Sequence, residues 1–487
     1  MGYHRRRSPA PVKSRPIVVW IRRDLRVDDN AALVAASQTG RPVVPLFVFD
    51  RELIERLPSD GAAFEFQAEA LRELAEAIAR LGGRLIIREG RIEEVHRSIL
   101  EETGAAALYH NRDYEPAGRE RDDRIARLYR SRGAEVVSFK DMVLQEPSEV
   151  LTPDGRPYVV FTPFANSWKR NPEPPPMGTP RRFSAPELPS GEILGAAELN
   201  RRRSIPQPAF TAGEQAARKA WKAFLKEPIT RYESGRNLPG VPGTSRMSAY
   251  LRFGCISVRR MLEDIRAMES SLPAQGAQSL SKYVDELIWR EFYQAVLFHH
   301  PRLLDSNYRA EFDRLPWKFD EALFEAWREG RTGYPLVDAG MRELNETGWM
   351  HNRVRMVVAS FLTKDLMHDW KLGERVFEEK LMDIETASNN GGWQWSASTG
   401  VDPRPLRIFN PRLQSERYDP EGTYIRRHLP ELAKVPAKFI HAPYLMPPAL
   451  QQELGLVIGK DYPAPVVNHA DASAAYKNAF ARIKGRA

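Results

Sequence analysis

The hydrophobic pattern of the first 140 residues alternates between unbroken apolar runs and helical spacings. Residues 17–21 (IVVWI) and 42–49 (PVVPLFVF) are runs of the kind found in buried strands, and residues 30–37 between them have helical character. Further strands are predicted at 84–88, 106–109 and 135–139, and further helices at 64–81, 92–102 and 119–130. Such a series predicts an α/β domain with a doubly wound parallel sheet and helices on both faces.

No GxGxxG motif follows any of these predicted strands. The glycine-rich turn that holds a dinucleotide pyrophosphate against a helix N-terminus is therefore missing from the place where it would occur. Any cofactor of this chain is expected to bind in another way.

The pattern changes after residue 145. Residues 172–208 are rich in proline and charge, which indicates a long connecting segment laid over the surface. From residue 211 the apolar positions recur at helical spacing, which predicts an all-α domain. The helices are predicted at 214–225, 257–268, 280–298, 321–328, 337–346 and 353–369. We expect a disordered basic tail at 1–16, an α/β domain at 17–144, an interdomain linker at 145–210 and a helical domain at 211–487.

The composition is that of an ordinary globular protein, with 42% hydrophobic and 28% charged residues. No run approaches the roughly 18 apolar residues that a membrane helix needs, so a membrane-spanning role is excluded. The single cysteine, Cys255, excludes an internal disulfide and a CxxC metal site, and it indicates a reducing, cytoplasmic location. His299 and His300 are adjacent and point apart on a helix, so we expect no metal site.

The net charge of +8 is unevenly distributed along the chain. Residues 1–200 contain 30 Lys and Arg against 30 Asp and Glu, whereas the remainder contains 42 against 34. A basic C-terminal part favours a polyanionic partner there. On charge alone, a merely solvated surface explains the excess about as well.

Residues 389–395 (NNGGWQW) contain two tryptophans that a helix would separate. At about 100° per residue, Trp393 and Trp395 lie roughly 200° apart, so their rings face opposite ways. One ring could then face the interior and the other a cavity. The alternative is that both are core residues.

Residues 285–293 (DELIWREFY) place four chemically distinctive side chains on one helix face. Glu286, Trp289, Arg290 and Tyr293 recur at three- and four-residue spacing. A carboxylate, a flat aromatic ring and a guanidinium side by side could recognise a nucleic-acid base by stacking and edge hydrogen bonds. The alternative is an ion-paired helix surface.

Residues 350–356 (MHNRVRM) likewise place Asn352, Arg355 and Met356 on one face. A buried arginine needs a carboxylate partner, so we pair Arg355 with Asp383 as a hypothesis. If the pairing is correct, loss of Asp383 should weaken cofactor retention.

Residues 240–248 (GVPGTSRMS) precede a helical pattern. Small residues and hydroxyls at a helix start suit a phosphate, through free N–H groups and the helix dipole. An ordinary Ser/Thr helix cap explains the segment nearly as well.

Taken together, six segments in this order resemble the photolyase/cryptochrome family over residues 17–440. They are WIRRDLR (20–26), GTSRMS (243–248), ELIWREFY (286–293), MHNRVRM (350–356), NNGGWQW (389–395) and RIFNP (407–411). The chain is most similar to class I photolyases that repair cyclobutane pyrimidine dimers, and DPRPLRIFNP (402–411) is nearest to the cyanobacterial type. The resemblance implies a monomeric enzyme that binds dimer-containing DNA.

The resemblance also implies FAD in the helical domain, reduced and excited by blue light, which gives an electron to a flipped-out dimer. By matching positions, the FAD contacts would be Tyr232, Thr244, Ser245, Arg246, Met247, Ser248, Trp349, Asn352, Arg355, Asp383, Glu385 and Asn389. The catalytic residues would be Glu286, Asn352, Met356, Asn389 and Trp395. Contacts to DNA would come from Arg236, Glu286, Trp289, Arg290, Tyr293, Asn352, Arg353, Trp395 and Gln414. Trp393, Trp370 and Trp317 would pass electrons to the flavin.

Asn389 discriminates between repair and signalling within the family. A neutral amide beside the flavin tolerates an electron-rich anion, whereas plant cryptochromes have aspartate there. The alternative function is a cryptochrome-type blue-light receptor without repair. Photolyases of the (6-4) type have two histidines where this chain has Asn352 and Met356. The chain departs from the family at Ile384-Glu385, which replace glycine and aspartate, and at Tyr283, which replaces tryptophan.

An antenna chromophore is implied by two segments that resemble deazaflavin-binding members of the family. These are residues 111–116 (NRDYEP) and 118–122 (GRERD). We expect 8-hydroxydeazaflavin, with methenyltetrahydrofolate or an empty site as the alternatives.

Overall fold

The computed structural model describes residues 15–56, 62–199, 209–401 and 406–485. The predicted basic tail at 1–16 lies outside the described residues except for its last two positions, and so do residues 402–405 of the DPRPLRIFNP segment. Within the described ranges, no helix combines the length and the apolar character needed to cross a membrane.

The N-terminal part contains a five-stranded sheet in the order β3-β2-β1-β4-β5, and all four neighbouring pairs are parallel. The strands are β1 (Ile17–Ile21), β2 (Val43–Asp50), β3 (Ile86–Gly90), β4 (Ala107–Asn111) and β5 (Glu135–Phe139). The predicted doubly wound sheet is thereby confirmed. The third strand begins two residues later than predicted, because its pairing with β2 starts where Ile86 meets Leu46.

Both faces of the sheet are covered, as the unbroken apolar strands require. On β1, Ile17, Val19 and Ile21 belong to a core shared with the helical part of the chain, whereas Val18 and Trp20 face a second core. The helices of this part are α1 (Ala31–Gln38), α2 (Arg51–Arg56), α3 (Ala62–Arg80), α4 (Ile92–Thr103) and α5 (Pro116–Ser131). Helices α4 and α5 supply the helical side of the second core, opposite residues of β1 to β4.

Where the structure describes it, the segment between the two parts contains one α-helix, α6 (Phe161–Trp168), and residues 169–199 have neither helix nor strand. This segment is nevertheless tied to the sheet. The amide of Val43 donates to the carbonyl of Ser184 at 2.8 Å, and the amide of Gly191 donates to the carbonyl of Ile87 at 2.9 Å. The connecting segment therefore runs along the α/β part, as the proline-rich composition predicted.

From residue 214 the described chain is almost entirely helical, as predicted. Its α-helices are α7 (Glu214–Lys226), α8 (Tyr232–Gly235), α9 (Ser248–Arg252), α10 (Val258–Glu269), α11 (Ala274–His299), α12 (Glu321–Arg328), α13 (Pro335–Thr347), α14 (Asn352–Ser360), α15 (Trp370–Lys380), α16 (Thr386–Ser396), α17 (Pro411–Tyr418), α18 (Thr423–His428), α19 (Ala437–Ile440), α20 (Pro448–Leu454) and α21 (His469–Lys484).

The prediction of one continuous helix over 353–369 is wrong. Helix α14 ends at Ser360 and passes into a π-helical turn, Phe361–Asp365. The chain then reverses at Met367, whose φ is 57°, a left-handed conformation that no helix can continue through. The apolar periodicity of the segment correctly predicted which residues are buried. It gave no indication that the helix ends at Ser360.

Four buried charged residues join the two parts. Arg26 and Asp141 form an ion pair at 2.7 Å, and Arg259 of α10 pairs with Asp29 and Asp141, both at 2.8 Å. Each of the four is at most 4% exposed. Because buried charges are stable only when paired, this network fixes the contact between the α/β and helical parts.

Candidate active site

A cavity of about 620 Å³ lies among α8, α9, α11, α14 and α16, with one wall from the start of α6. Its volume is within the range of pockets that hold small molecules and cofactors. The predicted site residues that line it are Tyr232, Arg236, Ser245, Met247, Ser248, Glu286, Trp289, Arg290, Tyr293, Asn352, Arg353, Arg355, Met356, Asp383, Glu385, Asn389, Trp393 and Trp395. Five distant segments of sequence are thus brought to one cavity.

Six predicted residues are not part of the cavity lining: Thr244, Arg246, Trp349, Gln414, Trp317 and Trp370. Arg246 instead lies over the ring of Trp349, 4.2 Å from its centroid, and Gln414 lies on α17. The helix that follows the GTSRMS segment has only five residues, so its dipole is a small part of any phosphate site there.

The helix α16 presents Trp393 and Trp395 in different surroundings, as its periodicity predicted. Trp393 is 2% exposed and packs edge-on against Phe377 and Trp327, at 5.0 and 6.2 Å between centroids. Trp395 is half-buried, with the Arg407 guanidinium 5.3 Å from its ring centroid. Both also line the cavity, so neither is enclosed in a solid core.

The two glycines of α16 have different reasons to lack a side chain. A Cβ on Gly391 would lie 2.1 Å from the ring of Tyr293, so only glycine lets α11 and α16 approach this closely. A Cβ on Gly392, which lines the cavity, would meet no atom within 4 Å. Any larger residue at position 392 would therefore reduce the volume of the cavity.

The hypothesis that Arg355 pairs with Asp383 is confirmed. The Nη2 atom of Arg355 lies 2.8 and 3.1 Å from the two carboxylate oxygens of Asp383, and its Nε donates to the carbonyl of Met350 at 2.7 Å. The Asp383 side chain is only 2% exposed. The pair therefore forms a charged, fixed section of a cavity wall that also contains aromatic, aliphatic and other charged side chains.

Asn389 is held by a backbone carbonyl from α15. Its Nδ2 donates to the carbonyl oxygen of Glu374 at 3.1 Å, while the neighbouring Asn390 donates to the Glu374 carboxyl at 3.0 Å. Burial, reinforced by Glu378, raises the pKa of Glu374 to about 8. Glu374 is therefore largely protonated at neutral pH. The sequence analysis missed this residue, which lies four positions after Trp370.

Substituting Glu374 with glutamine should reduce the loss of stability that accompanies a rise in pH from about 4.5 to about 8. A carboxyl with a raised folded-state pKa keeps a proton that the unfolded chain has released, so its contribution is full below about pH 4.5 and is lost as the pH rises to about 8. Between pH 6 and 9 this loss is about 3 kcal/mol, or a few degrees in the thermal midpoint.

Thermal midpoints of wild type and Glu374→Gln at pH 6 and pH 9 measure this difference, at matched flavin content. Glu453, exposed on α20, provides the control substitution Glu453→Gln. Equal pH dependence in all three proteins would contradict a protonated Glu374.

Glu385 connects the cavity to the α/β part. Its Oε1 accepts hydrogen bonds from Arg23 at 3.1 Å, Arg290 at 3.0 Å and Gln294 at 2.8 Å. Burial raises the pKa of Glu385, but Arg290, Arg23 and Arg252 outweigh it and hold that pKa below its ordinary value. Arg290 also donates to the carbonyl of Met142 at 2.7 Å. The predicted contact of Arg290 to DNA stays a prediction. In the structure, the hydrogen-bond partners of Arg290 are Glu385 and the carbonyl of Met142.

The opposite wall carries the residues predicted to recognise a base. Glu286 accepts a hydrogen bond from Arg236, and the indole of Trp289 stacks flat on Phe161 with 3.7 Å between centroids. Asn352 is exposed at the first position of α14, and Met356 is half-buried one turn later. Arg353 donates to Asn237 at 2.7 Å. Sequence reasoning missed Phe161, Arg407 and the cavity position of Tyr283, because nothing in a local pattern indicates contacts between distant segments.

The predicted electron-transfer residues differ in exposure. Trp370 is fully buried and donates from Nε1 to Asn307 at 2.9 Å, whereas Trp317 is half-buried and packs against Tyr476, 6.3 Å between centroids. Of the predicted three, only Trp393 reaches the cavity. Their roles stay predictions.

Comparison with known proteins decides the family. Residues 17–181 match the family model described as DNA photolyase, and residues 283–482 match the FAD binding domain of DNA photolyase. A deoxyribodipyrimidine photo-lyase of Synechococcus is 38% identical over 481 residues, which cover 96% of this chain and 97% of the relative. The chain belongs to the DNA photolyase family. It is therefore a photolyase-type enzyme with an FAD-binding domain, as its motifs predicted.

Solved photolyase and cryptochrome structures superpose on nearly the whole chain. A class III photolyase from Agrobacterium tumefaciens has a TM-score of 0.91 at 38% identity and covers 98% of this chain and 99% of its own. A Synechocystis cryptochrome has a TM-score of 0.89 at 29% identity, with coverage of 96% and 99%. An archaeal photolyase from Sulfolobus tokodaii, described with two FAD molecules, has a TM-score of 0.81 at 32% identity, with coverage of 96% and 100%.

The extent of the photolyase match differs from the motif-based prediction. It continues to residue 482, beyond residue 440, and so includes most of the C-terminal helix α21, which packs on the helical part through Tyr476 and Phe480. The predicted domain limits and the class I assignment stay predictions.

Proposed function

We propose that this photolyase repairs cyclobutane pyrimidine dimers in DNA by light-driven electron transfer to a dimer flipped out of the duplex. The observation that carries the proposal is the single cavity lined both by the Arg355–Asp383 pair with Asn389 and by the indoles of Trp289 and Trp395. A cofactor and a base would therefore contact residues of the same cavity.

The residues of the cavity fit FAD. Gly392 leaves open space, the Arg355–Asp383 pair offers fixed charges of both signs, and Ser245 and Ser248 offer hydroxyls. Those residues, with Tyr232 and Met247, would hold the cofactor. When bound and reduced, FAD supplies under blue light the electron that splits the cyclobutane ring and recovers it afterwards. The neutral amide of Asn389 makes negative charge nearby less costly than a carboxylate would.

The dimer-binding side would use aromatic stacking and edge hydrogen bonds. Stacking on Trp289 and Trp395 is worth about 1 to 3 kcal/mol per base. This offsets the few kcal/mol needed to extrude a nucleotide, which is smallest for a damaged one. Glu286 would accept hydrogen bonds from the pyrimidine edge, and Met356 would line the pocket. The basic residues at this site, Arg236 and Arg353 among them, would bind phosphates, so affinity should decrease as salt increases.

Electron supply and repair would use different tryptophans. Trp393 lines the cavity from the interior side, and it would receive electrons by way of Trp370 and the more exposed Trp317. This route would return an oxidised cofactor to its active state and would take no part in ring splitting.

An antenna chromophore would bind where the strand order of the sheet reverses, between β1 and β4. The segment 111–116 begins at the end of β4, and the segment 118–122 lies near the start of α5. The guanidinium groups of Arg22 and Arg121 lie 4.3 and 5.1 Å from the ring centroid of Trp20. Planar guanidinium groups can stack on the face of a flat aromatic ligand. We favour 8-hydroxydeazaflavin. Methenyltetrahydrofolate and a second FAD, as in the Sulfolobus relative, are the alternatives that an absorption spectrum distinguishes.

The decisive experiment is a repair assay on purified, chemically reduced protein. Blue light should return dimer-containing oligonucleotides to monomeric pyrimidines, and the same sample in the dark should not. Trp393→Phe should repair equally well after chemical reduction but should remain oxidised when light and a thiol are the only source of electrons. If flavin is bound and illuminated dimers stay intact, the cryptochrome-type receptor function replaces this proposal. We further propose that the protein acts as a cytoplasmic monomer, since one chain supplies the whole cavity.

A further inference from the structure

Phe161 covers one face of the indole of Trp289. The two rings are nearly parallel, with an interplanar angle of 4° and 3.7 Å between centroids. Aromatic pairs in proteins are more often offset or edge-to-face, with centroids about 4.5 to 7 Å apart. The contact is therefore an unusually close one, and it leaves a single face of Trp289 for any ligand.

Phe161 is held in place by the helix that it begins. In α6, Trp168 is fully buried and donates from Nε1 to Glu291 at 2.5 Å, while Phe164 packs edge-on against Phe292 at 5.3 Å. Glu291 and Phe292 follow Trp289 closely on α11. Helices α6 and α11 are thus locked together beside the stacked rings, so Phe161 cannot easily leave Trp289.

The exposure of Phe161 differs from that of a core residue. Phe164, one turn later, is 1% exposed, whereas Phe161 is only partly buried and lines the cavity. A second ring, that of Tyr293, lies 5.6 Å from Trp289 at a tilt of 35°. The indole of Trp289 is accordingly confined by neighbours before any base arrives.

We propose that Phe161 is a positioning residue for recognition of the dimer: it fixes the indole of Trp289 so that one prescribed face is presented to the extruded pyrimidine. The proposal rests on the proposed function and adds a residue from the interdomain segment to the dimer-binding wall. Its physical basis is preorganisation, since a side chain that is already immobile loses less conformational entropy on binding. Phe161 acts through Trp289 and needs no contact with DNA.

The test compares Phe161→Leu with two matched variants. Phe161→Leu should weaken binding of a dimer-containing oligonucleotide about three- to tenfold, with little change for the undamaged oligonucleotide and unchanged FAD content. Phe161→Tyr retains the ring and should bind within about twofold of wild type. Phe480→Leu removes a stacked ring that packs on Phe312, outside the cavity lining, so it should lower the thermal midpoint and leave dimer selectivity intact.

A double-mutant cycle separates positioning from general packing. In a Trp289→Leu background, adding Phe161→Leu should have no further effect on dimer affinity, because the indole that it positions is gone. An undiminished effect in that background, or unchanged selectivity in Phe161→Leu alone, would overturn the inference while the proposed function stands. A wild-type protein that binds damaged and undamaged DNA equally would instead overturn the proposed function.

Discussion

Replacing Asp383 with alanine is expected to give a protein that purifies with little or no flavin. The change removes the carboxylate whose two oxygens accept hydrogen bonds from Arg355, so the guanidinium loses its ionic partner. Breaking a buried pair by removing one partner costs about 3 to 5 kcal/mol. The Arg355 side chain is 23% exposed, so the lower end of that stability cost applies. Because the pair lines the cavity, we expect the displaced guanidinium to weaken cofactor binding as well, by about a hundredfold, or about 3 kcal/mol. The ratio of flavin to protein absorbance measures the result.

The matched control for that variant is Asp338→Asn. Asp338 is a fully buried carboxylate that bonds Thr332 and Tyr462, outside the cavity lining. Its substitution should lower the thermal midpoint and leave the flavin content of the folded protein unchanged. If Asp383→Ala retains a full complement of flavin, the pair has no part in holding the cofactor.

Combined replacement of Trp289 and Trp395 by alanine should nearly abolish recognition of the dimer. Each stack contributes about 1 to 3 kcal/mol, and two independent losses add to between about 30-fold and 10⁴-fold in affinity. Flavin content should be unaffected, because the Arg355–Asp383 pair is intact. Fluorescence anisotropy with dimer-containing and undamaged oligonucleotides checks the effect.

Undamaged DNA is the internal control for the double variant. Its binding depends on phosphate contacts from basic residues, which the tryptophan substitutions leave in place. If the affinity for both oligonucleotides decreased by the same factor, the two indoles would maintain the structure of the DNA-binding surface and would not stack on the lesion.

The sequence predicted the fold well where periodicity and burial agree. The IVVWI run of β1 and the apolar run of β2 are buried on both faces, and only a parallel sheet between helices satisfies that pattern. It failed over 353–369, since the left-handed turn at Met367 involves no glycine or proline that a reader of the sequence could recognise. The start of β3 also needed information about its partner strand.

The candidate site was predictable where its residues share a helix face. Glu286 and Trp289 on α11, or Asn352 and Met356 on α14, reach the cavity together because three- and four-residue spacings hold them side by side. Phe161 and Glu374 were missed because each acts through a residue that is distant along the chain, and no local pattern encodes such a contact. Glu385 was assigned to the cofactor from a family position, yet its longest-range partner, Arg23, lies in the α/β part.

In the buried network of Arg26, Asp29, Asp141 and Arg259, the α/β part and the helical part each depend on charged side chains that the other part supplies. A fragment that ended before α10 would keep the two aspartates and lack the guanidinium that Arg259 supplies, and the complementary fragment would expose that guanidinium on an apolar surface. Each fragment should therefore be less stable than the same part of the intact chain, although the Arg26–Asp141 pair stays within the first fragment. Recombination between related genes should therefore be tolerated only where both sets of charges are inherited together.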